Sequence, residues 1–302
     1  LRWETERLGI RVLLSCQVSV IKPQRDGGFL IRSSQGTLHT DTLILAAGSK
    51  AAPSTGSDGS GYELAKALGH KVIKPLPALV QLRCQGTLYK QLAGIRTEAR
   101  IRLLADGICM AEDKGELQLT DYGLSGIPVF QISRYASRAL DKGSRVRASI
   151  DFMPSWKEDE AFRLLKKRAV MLKEKPVGEL FTGMLNRKLA QVLIKLSGID
   201  PSALCERLGN RQLERILYQL KSYEAIVMSV NPFSNAQVCC GGVDTREVDP
   251  DTMESRIRTG LYLAGELLDV DGICGGYNLQ FAWSSGWIAG QSAAGIEKPH
   301  RK

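Results

Sequence analysis

Histidine is scarce in this sequence, and its cysteines show no recurring spacing. The 302 residues include three histidines, His39, His70 and His300, which lie far apart in the chain. They leave little material for a zinc site or for a catalytic triad built on histidine. The seven cysteines are an odd number and form no disulfide framework, which is typical of a protein in the reducing cytoplasm. We therefore expect no metal site and a cytoplasmic location.

Long apolar runs are also missing. No stretch reaches the roughly 18 residues expected of a membrane-spanning helix, so the sequence predicts no membrane association. The hydrophobic fraction of 43% and the charged fraction of 24% are typical of a globular protein, and the length allows two or three domains.

The net charge of +9 at pH 7 is compatible with a nucleic-acid partner. The basic residues are spread along the chain, however, and in the run 157–175 they are mixed with Glu158, Asp159, Glu160 and Glu174. A mixed run of this kind is typical of a solvated helix face. Attraction for an anionic small molecule, such as a nicotinamide dinucleotide phosphate, explains the charge equally well. The charge alone does not choose between these two classes of partner.

The segment 260–295 carries the clearest pattern for a ligand site. An apolar strand at 261–264 ends at a Gly-Glu turn, an acidic glycine-rich loop follows, and a helix is predicted at about 278–294. Free N–H groups and the positive dipole end at the start of that helix favour an anionic or electron-rich ligand. Gly275 and Gly276 would let a flat ligand approach the backbone closely. On the pattern alone, an ordinary strand, turn and helix is an equally good interpretation.

Residues 260–290, GLYLAGELLDVDGICGGYNLQFAWSSGWIAG, resemble the C-terminal flavin-binding segment of the BaiN-like (YhiN-type) NAD(P)/FAD-dependent oxidoreductases. That family has a glutathione-reductase-like FAD domain. Its acidic residue at the strand-end turn and the amides of its GGYNLQ segment contact the ribityl chain and the isoalloxazine. The positions here that match those contacts are Gly265, Glu266, Asp271, Gly276, Tyr277, Asn278, Leu279 and Gln280.

The first part of the chain predicts a β-meander followed by a buried parallel strand. Strands are expected at 12–21, 29–33 and 37–40, and the apolar run 42–48 is typical of a parallel strand buried on both faces. The end of such a strand is where an open α/β sheet binds ligands, although a plain strand exit is the alternative. The resemblance implies FAD contacts at this end and an adenine contact on the meander. The matching residues are Val18, Ala46, Ala47 and Gly48.

The region from 78 to 154 is predicted as short strands of a barrel or sandwich, at 79–84, 99–104, 108–111, 116–119, 129–132 and 145–152. Within it, GELQLTDYGLSGIPVFQISR also resembles the family, which usually has Phe-Thr-His where this chain has Leu119, Thr120 and Asp121. The histidine that the family places near the substrate is therefore replaced by Asp121 in this chain. The candidates for that position are Thr120, Asp121 and Tyr122. A plain hairpin turn explains these residues equally well, so no catalytic residue is assigned.

The rest of the chain predicts helices and then strands. Apolar residues recur at helical spacing in 156–220, and 223–230 is expected to return as a strand toward the first domain. Cys239 and Cys240 are adjacent, which leaves a thiol–disulfide flavoenzyme as a further alternative. Redox dithiols, however, normally use CxxC spacing.

Together these patterns predict an α/β fold: an incomplete FAD-binding Rossmann-like domain with a β-meander, plus an inserted β-barrel and helical domain. The expected divisions are 1–74, 75–155, 156–222 and 223–302. A flavoprotein of this type holds the pyrophosphate with a strand, GxGxxG and a helix, and the sequence from Leu1 onward contains no such unit. We expect a further N-terminal piece in the native protein, and we expect this chain alone to hold FAD weakly or not at all.

The resemblance implies an FAD-dependent oxidoreductase that transfers hydride between NAD(P)H, the flavin and a small organic acceptor, such as a conjugated carbon–carbon double bond. An RNA-binding or other polyanion-binding module on a flavoprotein-like scaffold is the alternative from a different class. The oligomeric state is not predicted.

Overall fold

The computed structural model describes residues 1–295, so His300 lies outside the described residues. The helices are α1 (Arg2–Arg7), α2 (Ser60–Ala67), α3 (Tyr89–Leu92), α4 (Ile127–Asp141), α5 (Glu158–Met171), α6 (Arg187–Leu196), α7 (Asn210–Lys221) and α8 (Tyr277–Ala293). The strands are β1 (Val18–Pro23), β2 (Phe29–Ser33), β3 (Gly36–Thr40), β4 (Leu43–Leu45), β5 (Val72–Ala78), β6 (Leu82–Cys84), β7 (Arg96–Ala105), β8 (Ile108–Leu119), β9 (Gly123–Ser125), β10 (Val146–Asp151), β11 (Tyr223–Val230), β12 (Val238–Val243) and β13 (Leu261–Leu263).

The two ends of the chain form a Rossmann-like α/β part. Strands β1, β2 and β3 pair antiparallel in sequence order, which confirms the predicted meander. Strand β4 pairs in parallel with β13, and β5 pairs antiparallel with β12. Phe29, Tyr62 and Leu263 share one buried core, which also includes Ala289 of α8. Segments far apart in sequence therefore meet in one buried core.

The middle of the chain forms a closed six-stranded barrel with the order β10-β11-β6-β9-β8-β7. Its interior side chains, such as Leu103 and Leu117, join a second core with Val129 of α4 and with Leu165 and Ile216 of the helices that follow. The barrel and the helical insert are confirmed. None of the helices in residues 1–295 combines the length and the hydropathy that crossing a bilayer requires.

Three expectations for this region are wrong. The strands predicted at 108–111 and 116–119 are parts of one strand, β8, which continues through residues 112–115. The predicted strand at 129–132 lies inside α4, because Val129, Ile132, Ala136 and Ala139 recur at helical spacing and build one continuous buried face. The strand at 223–230 forms, but it pairs with β10 and β6 as a barrel strand instead of returning to the first domain.

The expected burial of the 42–48 strand on both faces is also wrong for the described residues. Ile44 of β4 is 38% exposed whereas the adjacent Leu45, which points to the opposite face, is 6% exposed, so this strand is buried on one face. On α8, Ser285 and Ala289 are buried against the sheet. Gly286, by contrast, is exposed.

A buried histidine links the end of α2 to the segment before β13. His70 is 3% exposed, its Nδ1 atom lies 3.0 Å from Glu247 Oε2, and its Nε2 atom lies 2.8 Å from Ser255 Oγ. Burial lowers the pKa of His70, an effect that the hydrogen bond between His70 and the Glu247 carboxylate opposes and that nearby Arg258 reinforces. The neutral imidazole is therefore the form that the fold stabilises.

This depressed pKa makes stability depend on pH. As the pH falls below the unfolded-state pKa of about 6.5, the unfolded chain binds the proton before the folded chain does, so we expect the free energy of unfolding to decrease. Urea unfolding from about pH 8 to about pH 5 measures the slope. His70→Asn should reduce that slope, whereas His39→Asn, at an exposed position on β3, should not. Equal slopes for His70→Asn and the unaltered chain would contradict the assignment.

Candidate functional site

A cavity of about 510 Å³ opens where the ends of β4 and β13 meet the start of α8. One wall comes from the Rossmann-like part, and the opposite wall is formed by Leu79, Gln237 and Val238, on segments that lead into and out of the barrel. Glycine and alanine dominate the first wall, so main-chain groups are accessible there. The sequence-predicted residues that line the cavity are Ala46, Gly48, Gly265, Glu266, Gly276, Asn278 and Leu279.

Other depressions in the described part of the chain have volumes of about 780, 740 and 630 Å³. Among the sequence-predicted residues, only Asp271 lines one of them. Size alone is therefore a poor guide here. We take the 510 Å³ cavity as the candidate site because the strand ends and a helix N-terminus converge on it.

The start of α8 is open to this cavity. Gly275 and Gly276 have φ angles of +119° and +98°, which turn the chain sharply into the helix. No side chain in residues 1–295 caps the helix at Gly276, so the first N–H groups of α8 have no acceptor within the helix. The Asn278 side chain instead closes the preceding loop, since its Oδ1 accepts from Gly272 N at 2.7 Å. Main-chain donors thus remain for a ligand.

Glu266 is the acidic side chain of the cavity wall. Its Oε2 accepts a hydrogen bond from Ser49 Oγ at 3.1 Å, and Ser49 is 1% exposed. Burial raises the pKa of Glu266, while the bond from Ser49 opposes the shift. The neighbouring Gly265 N donates to Ser285 Oγ at 3.0 Å, which ties the strand end to α8. The site therefore combines amide donors with one carboxylate acceptor.

Four other predicted residues do not line the cavity. Val18 is in β1 of the meander. Ala47 faces α2, where a Cβ atom added to Gly61 would approach Ala47 Cβ to 2.7 Å. On α8, Tyr277 is 60% exposed, and Gln280 Nε2 donates to Ser284 Oγ at 3.0 Å. Their predicted cofactor contacts stay predictions.

Asp271, the fifth, is bound to the barrel helix α4. Arg134 Nη1 donates to the Asp271 carbonyl at 2.6 Å, and its Nη2 donates to the Gly272 carbonyl at 2.7 Å. Asp271 Oδ2 also lies 3.0 Å from Arg134 Nη1 as an ion pair, although without hydrogen-bond geometry. Burial raises the pKa of Asp271, and Arg134 and Arg138 oppose the shift.

The same face of α4 makes two further contacts with the loop. Gln131 Oε1 accepts from Cys274 N at 3.1 Å, and Arg138 Nη2 lies 3.8 Å from Asp269 Oδ1. Residues 131, 134 and 138 recur at three- and four-residue intervals, so a helical interpretation of this segment would have placed them together. Because a strand was expected at 129–132, this helix face was not recognised from the sequence.

The adjacent cysteines do not form a reactive dithiol. Cys239 and Cys240 are free, buried residues of β12. Burial raises the pKa of both thiols, that of Cys240 to about 11. Since the thiolate is the reactive form, this environment argues against the thiol–disulfide alternative. Within residues 1–295, no group of three or more His, Cys, Asp or Glu side chains is arranged to hold a metal ion.

The three candidates before the GLSG sequence differ in surroundings. The Thr120 hydroxyl is buried without a hydrogen-bond partner in the described residues, and Asp121 is exposed. The Tyr122 hydroxyl lies 3.0 Å from Asn231 Nδ2, and the Arg83 guanidinium lies over its ring. Neither Arg83 nor Asn231 belongs to a motif, so the sequence offered no signal for them.

Arg134 provides a test of how the loop is held. Arg134→Leu removes two hydrogen bonds and leaves the buried Asp271 with only the 4.0 Å ion pair to Arg138, so we expect the free energy of unfolding to fall by about 3 kcal/mol. Arg138→Leu is the matched control on the same helix, because its guanidinium is half exposed, and it should cost less than about 1 kcal/mol. Urea unfolding followed by tryptophan fluorescence measures both. Equal losses would mean that Arg134 does not hold the loop.

Comparison with known proteins places the chain in a family. The sequence model described as HI0933-like protein Rossmann domain matches residues 1–292. The chain is 43% identical over 302 residues to 3-dehydro-bile acid delta(4,6)-reductase of Clostridium scindens, an alignment that covers 99% of this chain and 72% of that protein.

Two ribosomal RNA dihydrouridine synthases are more distant relatives. The Haemophilus influenzae protein is 29% identical over 297 residues, with 97% of this chain and 71% of that protein covered. The Escherichia coli protein is 30% identical over 292 residues, with 95% and 69% covered. Since the family match spans nearly the whole chain, this protein belongs to the HI0933-like Rossmann family, and the predicted kinship with the BaiN-like oxidoreductases is confirmed.

Proposed function

We propose that this chain forms the flavin-ring side of an FAD-dependent oxidoreductase that uses NAD(P)H to reduce a carbon–carbon double bond conjugated to a carbonyl group. The observation that carries the proposal is the uncapped N-terminus of α8, which opens into a cavity walled by glycine and alanine. The cavity volume of about 510 Å³ lies within the range of small-molecule and cofactor sites.

The residues present fit an isoalloxazine ring. Small side chains at Ala46, Gly48 and Gly286 leave space for a planar group, and the first amides of α8 favour the negative charge that a reduced flavin carries. The Glu266 carboxylate can accept hydrogen bonds from hydroxyl groups such as those of a ribityl chain. When bound, FAD supplies the hydride chemistry. The chain itself binds and orients the ring and excludes water from one side.

The names of the relatives support the type of reaction. A 3-dehydro-bile acid carries a 3-oxo group, and delta(4,6) denotes double bonds in conjugation with it. Dihydrouridine is uridine with its C5–C6 bond reduced, and that bond is conjugated to a ring carbonyl. Both names therefore describe addition of hydrogen across a double bond next to a carbonyl group.

We propose a small molecule as the substrate and the cytoplasm as the location. The relative with the higher identity acts on a small molecule by name, and seven free cysteines suit a reducing compartment. On the barrel surface, acidic partners interrupt the positive charge. These ion pairs are Arg100–Glu112, Lys114–Glu98 and Arg147–Glu224.

A bulky side chain at Gly286 tests the ring site. A Cβ atom added to Gly286 or to Gly290 of α8 would meet nothing within 4 Å, but only Gly286 lines the cavity. We expect Gly286→Leu to raise the dissociation constant for FAD by at least about tenfold, and Gly290→Leu to leave it within about twofold. Equilibrium dialysis with FAD at millimolar concentration measures weak binding. Equal effects of the two substitutions would refute the placement.

Ribosomal RNA is the second candidate substrate, because of the two dihydrouridine synthase relatives and the net charge of +9. We expect fluorescence anisotropy to detect only weak, sequence-independent RNA binding that disappears between about 50 and 200 mM salt. Under the same conditions, anaerobic NAD(P)H should reduce the bound flavin, and a 4-ene-3-oxo steroid should reoxidise it. Reoxidation by uridine-containing RNA and not by the steroid would reverse the choice of substrate.

A further inference from the structure

Four polar side chains, Gln81, Arg83, Tyr122 and Asn231, contact one another around barrel strand β6, and we name them the Tyr122 cluster. Asn231 is 4% exposed and lies at the centre. Its Oδ1 accepts from Arg83 Nη1 at 3.2 Å, and its Nδ2 donates to Gln81 Oε1 at 3.2 Å and to the Tyr122 hydroxyl at 3.0 Å. The Arg83 guanidinium carbon lies 4.8 Å from the centre of the Tyr122 ring.

This network fixes the direction of every hydrogen bond. A guanidinium group has no acceptor, so the Asn231 atom facing Arg83 must be the oxygen, and the amide nitrogen must face Tyr122. The Tyr122 oxygen consequently accepts from Asn231, and its own proton points elsewhere. Asn231 is thereby a positioning residue that leaves the Tyr122 O–H group free to donate to another acceptor.

The cluster presents donors and positive charge without an internal counterion. In the described part of the chain, Arg83 forms no ion pair with a carboxylate, and its side chain is exposed. The Tyr122 O–H and the guanidinium N–H groups are all donors. The chemical group that satisfies them best is an oxygen that carries, or develops, negative charge.

Two chain segments connect the Tyr122 cluster to the cavity wall. Gln81 follows Leu79 of the cavity wall by two residues, at most about 7 Å of extended chain. On the other segment, Gln237 lines the cavity and donates its N–H to the Leu79 carbonyl at 3.4 Å, while Asn231 N donates to the Gln81 carbonyl at 3.0 Å. A molecule lying over the Leu79 wall can therefore reach the cluster with one end.

We propose that Tyr122 and Arg83 bind the carbonyl oxygen of a conjugated enone whose double bond lies in the cavity. The inference rests on the proposed function and assigns to Tyr122 and Arg83 the binding of the carbonyl group of its substrate. FAD, when bound and reduced by NAD(P)H, would supply a hydride for the β-carbon. The double-bond electrons would then form a new bond between the α-carbon and the carbonyl carbon, and the carbonyl electron pair would move to oxygen. The Tyr122 O–H and Arg83 N–H groups hydrogen-bond to this enolate oxygen. A proton from water then adds to the α-carbon and restores the carbonyl, so the substrate gains two hydrogen atoms.

The test uses 4-nitrophenolate as a stable mimic of the enolate oxygen and the chain without flavin. Titration followed by the absorbance of the phenolate should show saturable binding. We expect Tyr122→Phe and Arg83→Gln each to weaken it by about tenfold, because each removes a hydrogen bond to a charged oxygen. Asn231→Asp should weaken it as much, since the new carboxylate accepts the Tyr122 proton and pairs with Arg83. Tyr218→Phe, an exposed position on α7, is the control and should bind as the unaltered chain does.

Identical binding by Tyr122→Phe and Tyr218→Phe would overturn the proposal. In the flavin-loaded protein, Tyr122→Phe should slow reoxidation of the reduced flavin by the steroid enone while leaving its reduction by NAD(P)H unchanged. If the unaltered chain binds flavin and NAD(P)H reduces that flavin, but Tyr122→Phe changes neither 4-nitrophenolate binding nor reoxidation by the steroid enone, the proposal for the Tyr122 cluster is refuted. The proposed function then still stands. Flavin that binds to the unaltered chain and to Tyr218→Phe but is not reduced by NAD(P)H in either sinks the proposed function instead.

Discussion

Arg134 of α4 donates hydrogen bonds to two consecutive carbonyl groups, those of Asp271 and Gly272, and these bonds join the barrel to the loop before α8. The loop determines where the helix begins, and the helix start provides the main-chain donors of the candidate site. Gln131 adds a third bond from the same helix face. The barrel therefore does more than cover the cavity: it fixes the conformation of the segment that is proposed to bind the flavin ring.

This connection explains how two chemically different walls keep their relative positions. On one side, the uncapped amides of α8 face the cavity together with the Glu266 carboxylate. On the other, Leu79 and Gln237 lead to the Tyr122 cluster, which presents donors and a positive charge. In the proposed reaction, hydrogen-bond donors would therefore lie both beside the flavin ring and beside the substrate oxygen. Such preorganised donors are a large term in enzymatic stabilisation of charge.

Local patterns in the sequence predicted much of the fold. The strand, loop and helix of segment 260–295 and the barrel were recognisable because periodicity and turn residues act over a few positions. Helix α4 was missed because Val129 to Ile132 is a short apolar run that suits either a strand or a buried helix. The Tyr122 cluster could not be predicted from the sequence, for a different reason. Its hydrogen bonds join Asn231 to residues more than 100 positions away, and no local spacing records such a contact.

The central claim is that the mouth of α8 seats the flavin ring, and amide NMR spectra of the isotope-labelled chain test it most directly. On titration with FAD, the account predicts that the signals of Gly276, Asn278 and Leu279 shift progressively and together. Residues of the depression beside β10 and β11, such as Arg145 and Met228, should not move. Shifts confined to Arg145 and Met228, with the α8 amides unchanged at saturating FAD, would contradict it.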